Sequence, residues 1–582
     1  MKCQSKLKFF SLLASITLGA SALCFAVETP AGFDPIFDAM KQELKRSMSL
    51  SLQKLEKPYY VSYVIETGHE WSAVAVMGGL LGSTSAPFRY PQLELRVGDY
   101  NFDQTDWAGG GRGASYSLSG FPLDNDESVI RQYLWLETDS AYKASLDAIA
   151  RKRAALRSVT VTESLPDFAP VKAHTVLQNR PLVQFDDAAW KDRTKRVSAV
   201  FDNYTNLRAS VADYSAIDSI HRFIDSEGTE IRLPESEGQF QIRASAQAPD
   251  GMIMRDAALF YTNDITKMFS EDTLTNAAKT VAENVTKLAA APRGEDYSGP
   301  ILFEGDAAPQ LLAEVLAGNL HISRKPVGAN GSNPTELEGR RGVRIMPEMF
   351  DVVDDPTLPM FGHTEVDDQG VSSVPIHLVE KGVLKDFFRT RMPVRGYNES
   401  NGRALMGDSP APTNLIVKAS ETSSIADLKK KMIDLCQQRG LAYSIVVKKL
   451  DFPSTAANDE MRRLMSGSGG RPIAMPLHVY KLYNDGHEEM IRGVKLRGIN
   501  ARSLKDILAA GDDSNRLDYL ENGAPFAQVG GGGYTAEVSV VAPSVLIDDL
   551  ELVKMEDELP KLPIAPSPML VDNGPAPTRA SK

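Results

Sequence analysis

The chain is poor in the residues that cross-link a fold or hold a metal. Its 582 residues include three cysteines and eight histidines. Cys3 and Cys24 fall within the first 26 residues, so beyond them Cys436 stands alone and has no partner for an internal disulfide. Stability must then come from the core rather than from covalent staples. Cys436 sits in Ile425–Gln438 beside Leu428, Met432 and Leu435, and reads as a buried small hydrophobe rather than a nucleophile. Positive charge is also in deficit. Lysine and arginine total 64 against 76 acidic residues, a net charge of −12, which argues against a nucleic-acid partner. After Phe25 no apolar run approaches the roughly 20 residues needed to span a membrane. The glycine run Trp107–Gly113 is not followed by a Lys-Ser/Thr pair and a helix, so it is not a phosphate loop. No Gly-x-Ser-x-Gly elbow supports a serine nucleophile.

What is present begins with an export pattern. Lys2, Lys6 and Lys8 precede the short apolar stretch Phe9–Phe25, and small residues offer cleavage after Ala22 or Ala26. Ala26 is preferred, because Val27-Glu28-Thr29-Pro30 reads as a mature start. Leu23 fits poorly with acylation at Cys24. The expected address is exported and periplasmic. The composition, 42% hydrophobic and 24% charged, is that of a globular chain.

The pattern predicts an α+β fold: an N-terminal α/β region followed by a β-rich, barrel-like C-terminal domain. The expected divisions are a signal peptide at 1–26, an N-terminal domain at 27–165, a middle domain at 185–292, the C-terminal domain at 297–556, and a disordered tail at 557–582. The last 23 residues hold six prolines. Asp34-Pro35 opens a first helix that ends before Pro58, and Tyr59–Glu66 and Gln92–Asp99 read as strands. Asp124–Arg157 reads as a long helix with Val129, Ile130, Leu134, Leu146 and Ile149 inward. Trp190–Val200 starts helical and runs into strand. Ala209–Tyr214, His221–Asp225 and Glu230–Leu233 read as separate strands, the last two joined by the turn Asp225–Gly228. Thr273–Ala291 is an amphipathic helix. Short strands follow, at Gly342–Met346, Gly370–Val379, Val383–Phe388, Tyr443–Lys448, Met475–Leu482, Glu489–Val494 and Glu537–Val541. Between the helix and these strands, Asp306–Leu320 reads as a further helix, capped by Asp306, with Leu311, Leu312, Val315 and Leu316 on one stripe.

Several ordered blocks carry a resemblance. They are Ile224–Thr229 (a D-S-E-G-T turn), Tyr297–Leu320, Phe350–Asp355 with Phe361–Gly370 and Gly382–Phe388, Asn401-Gly402-Arg403, and Val541–Leu552. Together they resemble the TldD/PmbA family of metallopeptidase-like proteins across roughly residues 34–555. In that family's active members the helix carries HExxxH, and the best-known case adds a cysteine near the C-terminus. Here the six helix positions read Ala313-Glu314-Val315-Leu316-Ala317-Gly318, and the C-terminal region has no cysteine. The glutamate remains and the histidines do not. Zinc hydrolases need about three protein ligands and an open water position, and alanine and glycine offer no lone pair.

The resemblance is closest in character to the zinc-less PmbA (TldE) type. It implies a non-catalytic, peptide-binding subunit of a TldD-like proteolytic complex, acting on unfolded peptides beside a TldD-like zinc-bearing homologue or as a homodimer. Cofactor is then expected only in the partner. Two alternatives stay open: a self-sufficient metallopeptidase with relocated ligands, and a non-enzymatic envelope binding protein. The residues that could rebuild a metal site are His321, His363 and Asp367. Glu314, without a metal-activated water, reads as a solvent-facing helix carboxylate.

Overall fold

The structure is a computed structural model that describes residues 34–109, 115–117, 120–158, 165–329, 335–451, 475–521, 535–556 and 559–563. The expected signal peptide lies outside the described residues, as does most of the expected tail.

Helix α1 (Pro35–Ser47) starts where Asp34 caps it, Oδ1 accepting from the amides of Ile36 and Phe37 at 3.1 and 3.2 Å. Strands β1 (Pro58–Val76) and β2 (Gly79–Val97) form one long hairpin. It turns at Met77-Gly78, both at positive φ, which matches the twist of the strands. Then come β3 (Ser115–Ser117), α2 (Glu127–Leu156), β4 (Thr175–Leu177) and α3 (Asp187–Ala199). The half ends with β5 (Leu207–Asp225), β6 (Glu230–Gln247), β7 (Ile253–Thr262) and α4 (Glu271–Ala290).

The strands make one sheet in the order β3-β2-β1-β5-β6-β4, with β7 also on β6. Residues on either side of the 165–185 crossing therefore share a sheet. Strand alternation gives this sheet two faces of different character. One is apolar and covered by helices: α1 and α2 lie over Tyr63, Ile65, Leu93 and Leu95, and α3 and α4 over Tyr214, Phe240 and Ile242. The other meets the C-terminal domain.

That domain runs β8 (Tyr297–Phe303), α5 (Ala307–Val315), β9 (Phe350–Asp354), β10 (Ile376–Glu380), β11 (Val383–Leu384), β12 (Ala404–Met406) and β13 (Ser409–Pro410). Next are β14 (Asn414–Ala419), α6 (Ile425–Arg439), β15 (Tyr443–Leu450), β16 (Pro476–Tyr483) and β17 (Glu488–Ile491). The last are β18 (Val494–Arg497), β19 (Ile507–Ala510), β20 (Asn515–Glu521), β21 (Ala536–Ala542) and β22 (Val545–Lys554). Two curved sheets, β11-β10-β9-β14-β21-β20 and β17-β16-β15-β8-β22-β18, enclose α5, which packs on strands of both. The fold is thus α+β with a β-rich, half-barrel C-terminal domain. Helix α6 closes over Leu302, Val446 and Leu546, with Cys436 fully buried in its inner face. Ser424 caps its start, and Gly440, in the left-handed region, ends it.

Several sequence expectations are corrected. Trp190–Val200 does not run into strand: α3 continues to Ala199 and a 3-10 turn follows, because Trp190, Thr194, Val197 and Ser198 make a helical buried stripe. The fragments at 209–214 and 221–225 are parts of one strand, β5. Val129 is 40% exposed, because the inward stripe runs through Ile130, Leu134 and Ala141, one residue out of phase. Gly342–Met346 forms no strand, only an isolated bridge from Arg344 to Val383. Glu489–Val494 is split between β17 and β18.

Candidate functional site

Helix α5 is the axle of the C-terminal domain. Of its residues only Glu314 is not buried, because sheets flank it on several sides. The Gln310 side chain ties it to β15, donating to the Leu450 carbonyl at 3.1 Å and accepting from the Leu450 amide at 2.7 Å. Asp306 was expected to cap this helix, but its side chain makes no cap hydrogen bond. Its backbone is already helical there (φ −59°, ψ −27°), so it lies inside the first turn. Ala313 is 5% exposed within the core, and Gly318 is exposed on the 3-10 turn that follows. Glu314 is half-buried and engaged in an interaction, rather than free in solvent. The two positions that would hold zinc offer no donor atom, so these residues do not fit the metal.

His321, just past the helix, is half-buried and bridges to Phe388, and burial lowers its pKa. His363 is exposed, with Nδ1 2.8 Å from the Pro356 carbonyl. Asp367 is buried and already satisfied: Oδ1 accepts from the amides of Gln369 and Val371, and Oδ2 from that of Ala404. Burial pushes its pKa up to about 6 against those donors. Among the described residues no three His, Cys, Asp or Glu side chains group so as to hold a metal.

One block that carried the resemblance, Ile224–Thr229, helps to lock the two halves. Asp225 Oδ1 accepts from the amides of Glu227, Gly228 and Thr229 at 2.8–2.9 Å, which shapes the turn between β5 and β6. The turn presents Glu227, which takes hydrogen bonds from Tyr100 at 2.6 Å and from Arg391 of the C-terminal domain at 2.7 Å. Arg391 is fully buried and stacked over Phe168. A second lock joins β7 to β15 and β16, where Asp256 meets Lys449 at 2.6 Å and His478 at 3.3 Å.

Between these locks the sheet face is not filled by apolar packing. Phe223, Ile231 and Leu233 meet Val366 at one end, and Ile217, Leu259 and Tyr261 meet Phe361 and Leu520 at the other. The stretch between carries acids. Register pairs Glu66 of β1 with His221 of β5, and Ser219 of β5 with Glu235 of β6. Glu237 lies two residues further along the same face. Asp368 and Glu537 of the C-terminal domain act electrostatically on this group from across the gap.

Glu235 is exposed and the others half-buried, yet desolvation is the largest influence on each carboxylate. The carboxylates lie between the N-terminal sheet and the C-terminal domain, which surround them with protein while leaving their edges open to solvent. Burial pushes Glu235 up to about 7. Burial with like-charged neighbours pushes Glu237 and Asp368 up to about 8, and raises Glu66 and Glu537. His221 is shifted down by burial. These raised values favour the protonated form of the carboxyls near neutral pH. Sequence reasoning did not assemble this cleft, whose members are far apart in the chain. The polar positions alternating through 217–237 were its only trace.

A family model, the PmbA/TldA metallopeptidase C-terminal domain, matches residues 296–443, the span that contains α5. The class is thereby a metallopeptidase-type C-terminal domain joined to a sheet-and-helix N-terminal half. The match lies within the C-terminal domain, which is of the PmbA/TldA metallopeptidase type. It is similar to a metalloprotease of Methanothermobacter thermautotrophicus, 25% identical over 217 residues, which is 37% of this chain and 45% of that protein. A metalloprotease of Archaeoglobus fulgidus is 36% identical over 88 residues, 15% and 20% of the two chains. The matches span less than half the length of these relatives. In fold the chain is similar to TldE from Thermococcus kodakarensis, with a TM-score of 0.55 at 10% identity, over 88% of this chain and 100% of that one. It is also similar to a Thermotoga maritima protein described as a proposed modulator of a DNA gyrase, with a TM-score of 0.54 at 15% identity over 85% and 96%. At these identities the likeness is one of fold. No helix among the described residues is long and apolar enough to cross a membrane.

Proposed function

We propose that this chain is an exported, non-catalytic member of the family that binds unfolded peptides as the zinc-less subunit of a TldD-like proteolytic complex. The observation that carries the proposal is the state of α5. The helix is kept, tied by Gln310 and packed into the core, while Ala313 and Gly318 stand where the resemblance puts the metal's histidines. A partner of the zinc-bearing type would supply the Lewis acid and the activated water. This chain would supply binding surface. The cleft between the sheet and the C-terminal domain supports that role: its acids suit a peptide amine or a basic side chain, and its apolar ends suit the chain on either side. The N-terminal pattern around Lys2, Lys6 and Lys8 supports export, and sequencing of the mature N-terminus from an envelope fraction tests it.

The functional test is a peptidase assay on an unstructured peptide, with this chain alone, with a zinc-bearing homologue recovered by pull-down from the envelope, and with both. The proposal expects chelator-sensitive cleavage that requires the homologue and rises when this chain is added. Cleavage by this chain alone would support relocated ligands instead. No change on adding it to the homologue would leave a binding protein outside the proteolytic complex.

A further inference from the structure

A pocket of about 250 Å³ opens on the helix-bearing face of the N-terminal sheet, across the sheet from the acidic cleft. Asp34 and Ile36 of α1, Arg222 of β5, Arg232 of β6 and Arg180 after β4 line it. Asn125 adds to the wall. We propose that this pocket binds an oxyanion, the carboxylate or phosphate group of a ligand.

The charge balance points that way. Arg180 is paired with Asp218 at 2.6 Å. Arg222 and Arg232 share the single carboxylate of Asp34, at 2.7 and 3.7 Å. Arg89, just behind, donates to the carbonyls of Pro122 and Asp124 and to the side chains of Asn125 and Thr67, all neutral acceptors. Burial disfavours the charge of Arg89 and nearby Arg222 adds to that, with the Asp124 and Asp34 carboxylates opposing. Four guanidinium groups therefore face three carboxylates, Asp34, Asp124 and Asp218. That leaves a local cationic excess in a chain of net charge −12.

Arg232 supplies the second, independent observation. It is 8% exposed, and its Nε finds no hydrogen-bond acceptor. A buried N–H on a charged group is costly to leave unpaired, and a turn of the Arg232 side chain that brings Nε to an incoming oxyanion would recover that cost. The positive end of α1 opens on the same space, which favours negative charge further. The pocket has the volume of about eight waters at roughly 30 Å³ each, the scale of an anionic head group rather than a whole cofactor. Arg89 fixes the Asn125 amide by donating to its Oδ1, which sets one neutral contact of the wall before any ligand arrives.

Calorimetric titration of the purified protein with inorganic phosphate, with tri-alanine and with tri-alanine amide tests the assignment. The expected result is saturable binding of phosphate or of the free-acid tripeptide at one per chain, with none of the amide. Preference for phosphate assigns the pocket to a phosphate ester, and preference for the free acid assigns it to a peptide C-terminus. Arg232→Met should weaken the binding by about tenfold or more, with the Lys505→Met control unchanged. If Arg232→Met does not fold, Asn125→Ala, at an exposed position of the wall, should weaken it more modestly. No saturable heat from either anion with the wild-type chain would overturn the proposal, as would wild-type affinity in a folded Arg232→Met variant.

Discussion

Arg403 and Asp354 form a fully buried ion pair, Nε to Oδ2 at 2.7 Å, and so join two of the sequence blocks that carried the family resemblance. The pair is satisfied on all sides. Asp354 also accepts from the amide and hydroxyl of Thr413, and Arg403 donates to the carbonyls of Asn401, Gly402 and Val374. Removing one partner strands the other charge in the core. Arg403→Met should therefore cost about 3–5 kcal/mol in urea unfolding. Lys267→Ala, which breaks a surface pair in which the lysine is 81% exposed, should leave the urea midpoint nearly unchanged.

Docking of the two halves should depend on Glu227. Glu227→Ala deprives Arg391 of its carboxylate and Tyr100 of its acceptor. The expected loss is about 1.5–3 kcal/mol, the range for a hydrogen bond to a charged group. Faster limited proteolysis between the halves at an unchanged helix signal would show that docking, rather than secondary structure, has weakened.

The cleft acids predict a definite pH dependence. Their folded pKa values are raised, to about 7 for Glu235 and about 8 for Glu237 and Asp368, above the ordinary carboxylate value near 4. The folded state then holds more protons than the unfolded one between those values. The stability this contributes is complete below about pH 4 and is lost as pH rises through 7 to 8. The melting temperature should fall from pH 6.5 to pH 9, a window above the ordinary histidine pKa, so that His221 adds little. Glu237→Gln should flatten the fall. A melting temperature that rises across this window would contradict protonated cleft carboxyls.

Ala313 and Gly318 should respond differently to substitution. A Cβ at Gly318 would meet only the Ala313 carbonyl oxygen at 3.8 Å, so Gly318→Ala should be neutral or stabilising by about 0.4–1 kcal/mol. Ala313 lies in the core, and Ala313→His should cost about 1–3 kcal/mol through overpacking. Thermal melts of the two variants check this.

Helices were legible where caps and stripes agreed. Asp34-Pro35 began α1, because the Asp34 side chain satisfies terminal amides locally, and the run Ile425–Gln438 falls within α6. Strand β5 was read in pieces because Asp218, Ser219 and His221 interrupt its apolar pattern, and some of these residues serve the cleft face rather than a core. Arg196–Phe201 looked like strand by β-branched content, but its burial follows a helical period. The absence of histidine from Ala313–Gly318 was legible because it is a matter of residue type. The cleft was not, because Glu66, Glu235, Asp368 and Glu537 meet only after two halves of the chain dock. The arginine pocket depends likewise on α1, β5 and β6 coming together.

The central claim is that the fold has outlived its metal site, and elemental analysis of the chain purified without any partner tests it most directly. The account predicts zinc far below one atom per polypeptide even after incubation with zinc and desalting. Stoichiometric zinc that survives desalting, and that is lost on substitution of His321 or His363, would contradict it.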